Sequence, residues 1–176
     1  MRKVGVDMYH VLVPIDTNED RALSQARAAA ALHREGSDIQ ATLLHVFDDR
    51  DRAETTSVTQ LEVGNRVAEY LSDQGVSVHT ESRYGDPASE IVEAADELNA
   101  DNIILGGRKR SKLGSLIFGS VSQTVTLEAN HPVTITGDTV KADPTYICET
   151  CGKKYYTESE ITTCNSCGGV KIKKVG

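Results

Sequence analysis

Four cysteines carry the sharpest chemistry in this 176-residue chain: Cys148 and Cys151, then Cys164 and Cys167, two Cys-x2-Cys pairs with twelve residues between them. Each pair is followed by a glycine, Gly152 or Gly168, which permits a tight knuckle that aims backbone N–H groups at thiolates. Four thiolates at this spacing make a tetrahedral metal site. That donor set accepts zinc or iron. Zinc is the expected ion, because no di-iron carboxylate–histidine helix pair or other electron-transfer feature accompanies it. Iron stays the alternative. Two disulfides compete with a metal, and a reducing compartment disfavours them. A segment of about 30 residues buries too little surface to fold unaided, so the ion would supply its folding free energy.

A second set of residues points to phosphate. Gly106 and Gly107 leave a β-like run, Arg108, Lys109, Arg110 and Lys112 follow, and Gly119-Ser120 opens a helical pattern. Glycine allows close backbone approach to a ligand. Free N–H groups at a helix start favour an anion. A solvated loop whose glycines only turn the chain is the plainer alternative. Asp16, in the turn Asp16-Thr17-Asn18, is either a ligand-facing carboxylate or a simple helix cap.

Alternating elements must position these groups. Strands are expected at His10–Ile15, Ile39–Phe47, Val76–Thr80, Ile103–Leu105 and Pro132–Thr136. Helical patterns lie between them: an Ala-rich one over 19–33, one with Leu61, Val67, Ala68 and Leu71 on a single face, one opened by Asp86-Pro87, and one from about Ser120. Residues 48–57 read as an acidic polar loop. Strands alternating with helices indicate an α/β fold with a parallel sheet. The first, second and fourth strands are nearly continuous apolar runs, as when both faces are covered. The third alternates and belongs at an edge. The expected architecture is a doubly wound five-stranded sheet of order 3-2-1-4-5, with ligands beyond the carboxyl ends of the first and fourth strands. Gly137–Pro144 has linker composition, which divides the chain into a body at 8–137, a linker at 138–145 and a small C-terminal metal ribbon at 146–176.

The residues also carry resemblances. With VPID closing the first strand, LLHV in the second and GSVS at the last helix, residues 8–137 resemble the universal stress protein family, part of a wider group of adenine-nucleotide-binding α/β folds. In its ATP-binding branch the loop reads Gly-x2-Gly-x9-Gly-Ser/Thr. Here Gly106 takes the first position and Gly119-Ser120 the last pair, while Lys109 replaces the middle glycine and could supply charge directly. The resemblance implies ATP or a related nucleotide, with or without magnesium. Pro14 and Asp16 would flank it, with Asp16 near the ribose hydroxyls, and Val46 would offer backbone groups to the adenine edge. Taken alone, Val46 is a core residue. Gly106, Lys109, Gly119, Ser120 and Val121 would surround the phosphates. The resemblance further implies a homodimer paired through the last strand, although the tail could cover that edge instead. YICETCG and CNSCGGVK resemble a zinc ribbon and, equally, rubredoxin-like knuckles.

Composition narrows the function. Hydrophobic residues make up 39% and charged residues 26%, ordinary for a globular chain. The charge is uneven: residues 1–141 carry −8 and residues 142–176 carry +1. An acidic body opposes non-specific attraction to nucleic acid or anionic membrane, and the tail lysines read as a solvated end. No apolar run approaches the ~20 residues of a membrane span. The start has neither an apolar stretch nor a small-residue cleavage site, so cytoplasmic residence is expected. Met8, where the family-like portion begins, is a candidate start. No Gly-x4-Gly-Lys-Ser/Thr motif or nucleophile–base pattern appears, and His10, His33, His45, His79 and His131 fall on unrelated elements. The expectation is a non-enzymatic regulatory protein that binds nucleotide, with a ribbon that docks a protein partner. The alternatives are a nucleotide-free dimeric scaffold acting through the ribbon, and a rubredoxin-like redox module.

Overall fold

Val11, Leu12 and Val13 are all fully buried in the first strand, β1 (Tyr9–Pro14). Successive side chains of a strand point to opposite faces, so such a run requires cover on both sides. The computed structural model, which describes residues 8–34, 38–107, 119–137, 145–155 and 160–175, supplies that cover. Val11 and Val13 pack beneath the Ala22, Ala26, Ala29 and Ala30 stripe of helix α1 (Glu19–Arg34). The same layer holds Val67 and Leu71 of α3 (Glu62–Asp73). Leu12 faces the other way, into a core with Ile91, Ala94 and Ala95 of α4 (Pro87–Leu98) and Val125 of α5 (Ser120–Glu128).

The remaining strands of the sheet are β2 (Ile39–Phe47), β3 (Ser77–Tyr84), β4 (Asn102–Gly106) and β5 (Val133–Thr136). All neighbours are parallel, and the order is β3-β2-β1-β4-β5, as the strand patterns predict. β3 lies at an edge, and none of its residues is fully buried. Asp86 caps α4 by accepting the Ser89 N–H at 3.0 Å, with Pro87 in the first turn. The Ser89 backbone N–H, then its hydroxyl, hold that carboxyl below its usual range. The folded value is depressed, so the cap is fully formed at neutral pH and is lost only as pH falls through that lowered value.

Two stretches differ from their sequence reading: β3 runs on to Tyr84, beyond the expected Val76–Thr80, and the acidic segment is not all loop. Within the acidic segment 48–57 a short helix, α2 (Arg50–Thr55), forms. It buries no residue, so it leaves no apolar periodicity to read. Asp49 caps it by accepting the Arg52 N–H at 2.8 Å. Arg50 pairs with Glu54 at 2.6 Å, and the Arg52 guanidinium lies 5.3 Å from the Phe47 ring centre.

By internal contacts the chain divides into two units, with the boundary between Thr139 and Val140. The second unit is a three-stranded antiparallel sheet of β6 (Tyr146–Cys148), β7 (Lys154–Tyr155) and β8 (Ile172–Lys174), in the order β7-β6-β8. Apart from Thr145, the expected linker at 138–145 lies outside the described residues.

Candidate functional site

β1 pairs with β2 along its whole length, Tyr9↔Ile39 through Pro14↔Leu44. With β4 it pairs only at Val11↔Asn102 and Leu12↔Ile103. Beyond that point the two strands part, and an amide fills the gap. Gln25 of α1 is 1% exposed, and its Nε2 donates to Pro14 O at 2.6 Å and Ile104 O at 2.8 Å. One side chain thus satisfies two strand carbonyls that no longer face a ladder partner. Gln25→Met keeps the volume and removes both donors. Unsatisfied buried acceptors are costly, and a loss of about 2–4 kcal/mol is expected. The check is a lowered urea midpoint at unchanged slope.

Above this divergence lies a cleft of about 250 Å³. Its walls include Pro14, the last residue of β1, and Asp16 just beyond it, Val46 at the end of β2, Gly106 at the end of β4, and Gly119, Ser120 and Val121 at the start of α5. Seven of the eight residues singled out on the body therefore meet in one place. The eighth, Lys109, lies outside the described residues, as do Arg108, Arg110 and Lys112. Val46 also packs, partly buried, against the core beneath α4.

Asp16 is not the cap of α1. Asn18 is, since its Oδ1 accepts the Arg21 N–H at 2.9 Å. Asp16 Oδ1 accepts the Asn18 N–H at 2.9 Å, and its Oδ2 is ion-paired with Arg21. The carboxylate is held in orientation at the cleft wall, about half exposed. Gly119 precedes α5 with no side-chain cap, and the first intrahelical bond runs from Gln123 N–H to Gly119 O at 3.0 Å. Among the described residues, the N–H groups of Ser120, Val121 and Ser122 have no acceptor. These are the donors that favour an anion at a helix start.

The lining residues that the sequence reading did not single out include Arg21, Gln25 and His45. Gln25 left a trace, being a polar residue on the Ala22–Ala26–Ala29 stripe. His45 sits within LLHV; its Nδ1 lies 2.9 Å from Ile15 O, and its ring meets Phe47 edge-on at 4.6 Å. A carbonyl can only accept, so Nδ1 carries a proton and donates it to Ile15 O.

The second unit brings Cys148, Cys151, Cys164 and Cys167 together, with all four Sγ atoms within 4.8 Å of one another. Cys148–Cys167 and Cys151–Cys164 are 3.7 and 3.6 Å apart. A tetrahedral ion with metal–sulfur bonds of about 2.3 Å has sulfur–sulfur edges of about 3.8 Å, so the donor set fits. Gly152 and Gly168 turn the two knuckles at φ of +75° and +70°, and their N–H groups donate to Cys148 O and Cys164 O, each at 2.8 Å. Tyr155 donates its hydroxyl to Cys164 Sγ at 2.9 Å. That bond pulls the Cys164 thiol down to about 6 and pushes the Tyr155 hydroxyl up to about 12. For Cys167, the Gly169 N–H favours the thiolate, but Cys151, burial and Cys164 outweigh it and raise the thiol to about 12. For Cys148, burial disfavours the thiolate, but the Cys151 and Thr150 N–H groups prevail and lower it. Four crowded sulfurs cannot all ionise on their own; a dication at their centre removes that conflict. Ile161 is half-buried in this unit. Tyr156 lies outside the described residues.

Residues 8–137 match the family model described as the universal stress protein family. A stress response protein of Bacillus subtilis, NhaX, is 38% identical over 65 residues, covering 37% of this chain and 39% of that protein. A universal stress protein of Methanocaldococcus jannaschii is 37% identical over 70 residues, 40% of this chain and 41% of that one. These matches thus span about two fifths of each relative's length. Among solved structures, a universal stress protein from Archaeoglobus fulgidus aligns at 30% identity and a TM-score of 0.59, covering 73% of this chain and 98% of that one. An Archaeoglobus fulgidus universal stress protein in complex with dAMP aligns at 25% identity and a TM-score of 0.54, covering 74% and 98%.

Proposed function

The chain belongs to the universal stress protein family, and from that premise we propose that its body is a regulatory module that binds an adenine nucleotide, ATP or a close relative, without turning it over. The observation that carries this reading is the N-terminus of α5, whose first N–H groups meet no acceptor among the described residues, lining the same cleft as the oriented carboxylate of Asp16. The phosphates take the N–H groups of Ser120 and Val121. Asp16, an acceptor on both oxygens, takes the ribose hydroxyls. Val46 offers backbone groups to the adenine edge, and Lys109 adds charge to the phosphates. The dAMP held by the Archaeoglobus fulgidus relative supports an adenine nucleotide as the ligand.

The ribbon holds a structural zinc ion on Cys148, Cys151, Cys164 and Cys167 and serves as a docking module for a protein partner. The two chains of a homodimer pair along β5, whose Val133 and Ile135 are only half-buried at the sheet edge. No helix among the described residues is long and apolar enough to cross a membrane.

Calorimetric titration of the full-length protein with ATP, MgATP and AMP tests the nucleotide reading. Saturable heat and a raised melting temperature support it. Neither effect at roughly millimolar ligand, a concentration at which even weak sites fill, makes the body a nucleotide-free scaffold. Metal analysis tests the ribbon, where a colourless preparation with one zinc per chain is the expected result. A red preparation would mean ferric tetrathiolate and a redox module instead.

A further inference from the structure

Among the described residues lining the cleft, one carries a lasting positive charge: Arg21. Its backbone N–H closes the Asn18 cap. Its side chain turns the other way, across the end of β4. A Cβ on Gly106 would stand 2.0 Å from Arg21 Cγ and 2.6 Å from Cδ. Gly106 is thus the bed on which the arginine stem lies, and any larger residue there would lift the stem away. At its tip the guanidinium is ion-paired with Asp16. The side chain is restrained at both ends and 28% exposed.

A guanidinium has five N–H donors in a rigid fork. Apart from Asp16, no acceptor among the described residues meets the fork. A partly exposed ion pair contributes little stability on its own, so holding the fold together does not account for so constrained an arginine. Orientation does. A donor group fixed before a ligand arrives loses little entropy when it binds, and a planar fork matches phosphate oxygens two at a time.

We propose that Arg21 is a specificity-determining residue of the cleft, a guanidinium anchored by Asp16 and bedded on Gly106 that recognises a phosphate group of the ligand and so selects phosphorylated over unphosphorylated nucleosides. This rests on the nucleotide reading of the cleft. It adds a contact that comes from α1, on the opposite wall from the α5 N–H groups.

The test compares AMP with adenosine by calorimetry on the full-length protein, Arg21→Gln and Arg21→Lys. The unaltered protein is expected to prefer AMP. Arg21→Gln should lose about 10- to 100-fold in AMP affinity, with adenosine held within about threefold, since only the charge-assisted bonds are removed. Arg21→Lys should fall between them, because it keeps the charge and not the fork. Arg21→Gln binding AMP within about twofold of the unaltered protein would overturn the role of Arg21 and leave the nucleotide site standing. An equal loss for both ligands would also overturn it, marking Arg21 as support for the cleft wall. No heat from either ligand with the unaltered protein would remove the nucleotide reading, and this inference with it.

Discussion

Gly119→Val is expected to abolish nucleotide binding while the protein stays folded. Gly119 sits at φ −75° and ψ 164°, ordinary extended backbone that valine adopts without strain. The glycine is therefore not required by backbone geometry. Valine is a poorer N-cap than glycine, but that difference is no more than about 1 kcal/mol, and the sheet should melt cooperatively as before. The ligand meets a different situation. A branched side chain would stand beside the N–H groups of Ser120, Val121 and Ser122, where a phosphate must approach within about 3 Å. Loss of those bonds together is expected to cost at least about 100-fold in affinity for ATP and AMP. Calorimetry reads the affinity, and a circular-dichroism melt reads the fold. Unchanged affinity would mean that the phosphates do not use the α5 N-terminus, and the proposed site would fall.

Removal of the metal proposed for the ribbon is expected to unfold residues 146–175 and leave the five-stranded sheet intact. The reason is the difference between the two cores. In the body, two continuous apolar layers cover both faces of the sheet. In the ribbon the described residues bury only Tyr146, Cys148 and Cys164, and two of these three are thiols. Without an ion, little apolar burial is left to offset the entropy of ordering the segment. A strong chelator should therefore collapse amide protection in β6, β7 and β8, while protection in β1, β2 and β4 persists. Free-thiol titration should rise to four per chain at the same time, one for each of Cys148, Cys151, Cys164 and Cys167. If the body and ribbon lose protection in a single transition, the ribbon is not an independent metal-dependent unit.

Much of this was written in the chain itself. Nearly continuous apolar runs in β1, β2 and β4 and the alternation at the start of β3 declare which strands are covered on both faces and which lies at the edge, and strand order follows. Strict local spacing does the same for each knuckle of the ribbon: a Cys-x2-Cys pair followed by glycine is a local turn that brings its own two sulfurs together, whereas the meeting of the two pairs, 13 and 19 residues apart, is made by the fold. Asp86-Pro87 announces α4 for the same reason. These features depend on neighbours a few residues apart, where covalent geometry limits the possibilities.

Tertiary structure decided what depends on residues far apart. Gly106 reads as a place where a ligand's phosphate comes close to backbone; in the fold, the group that comes close is the stem of Arg21, brought there by α1. Asp16 reads as either cap or ligand; the fold assigns the cap to Asn18 and turns Asp16 to the cleft wall. Gln25 holds open the parting of β1 and β4 from 79 residues away in sequence from Ile104. Periodicity records which face of an element is buried. It cannot record which distant side chain arrives against it, because that is set by how the layers pack.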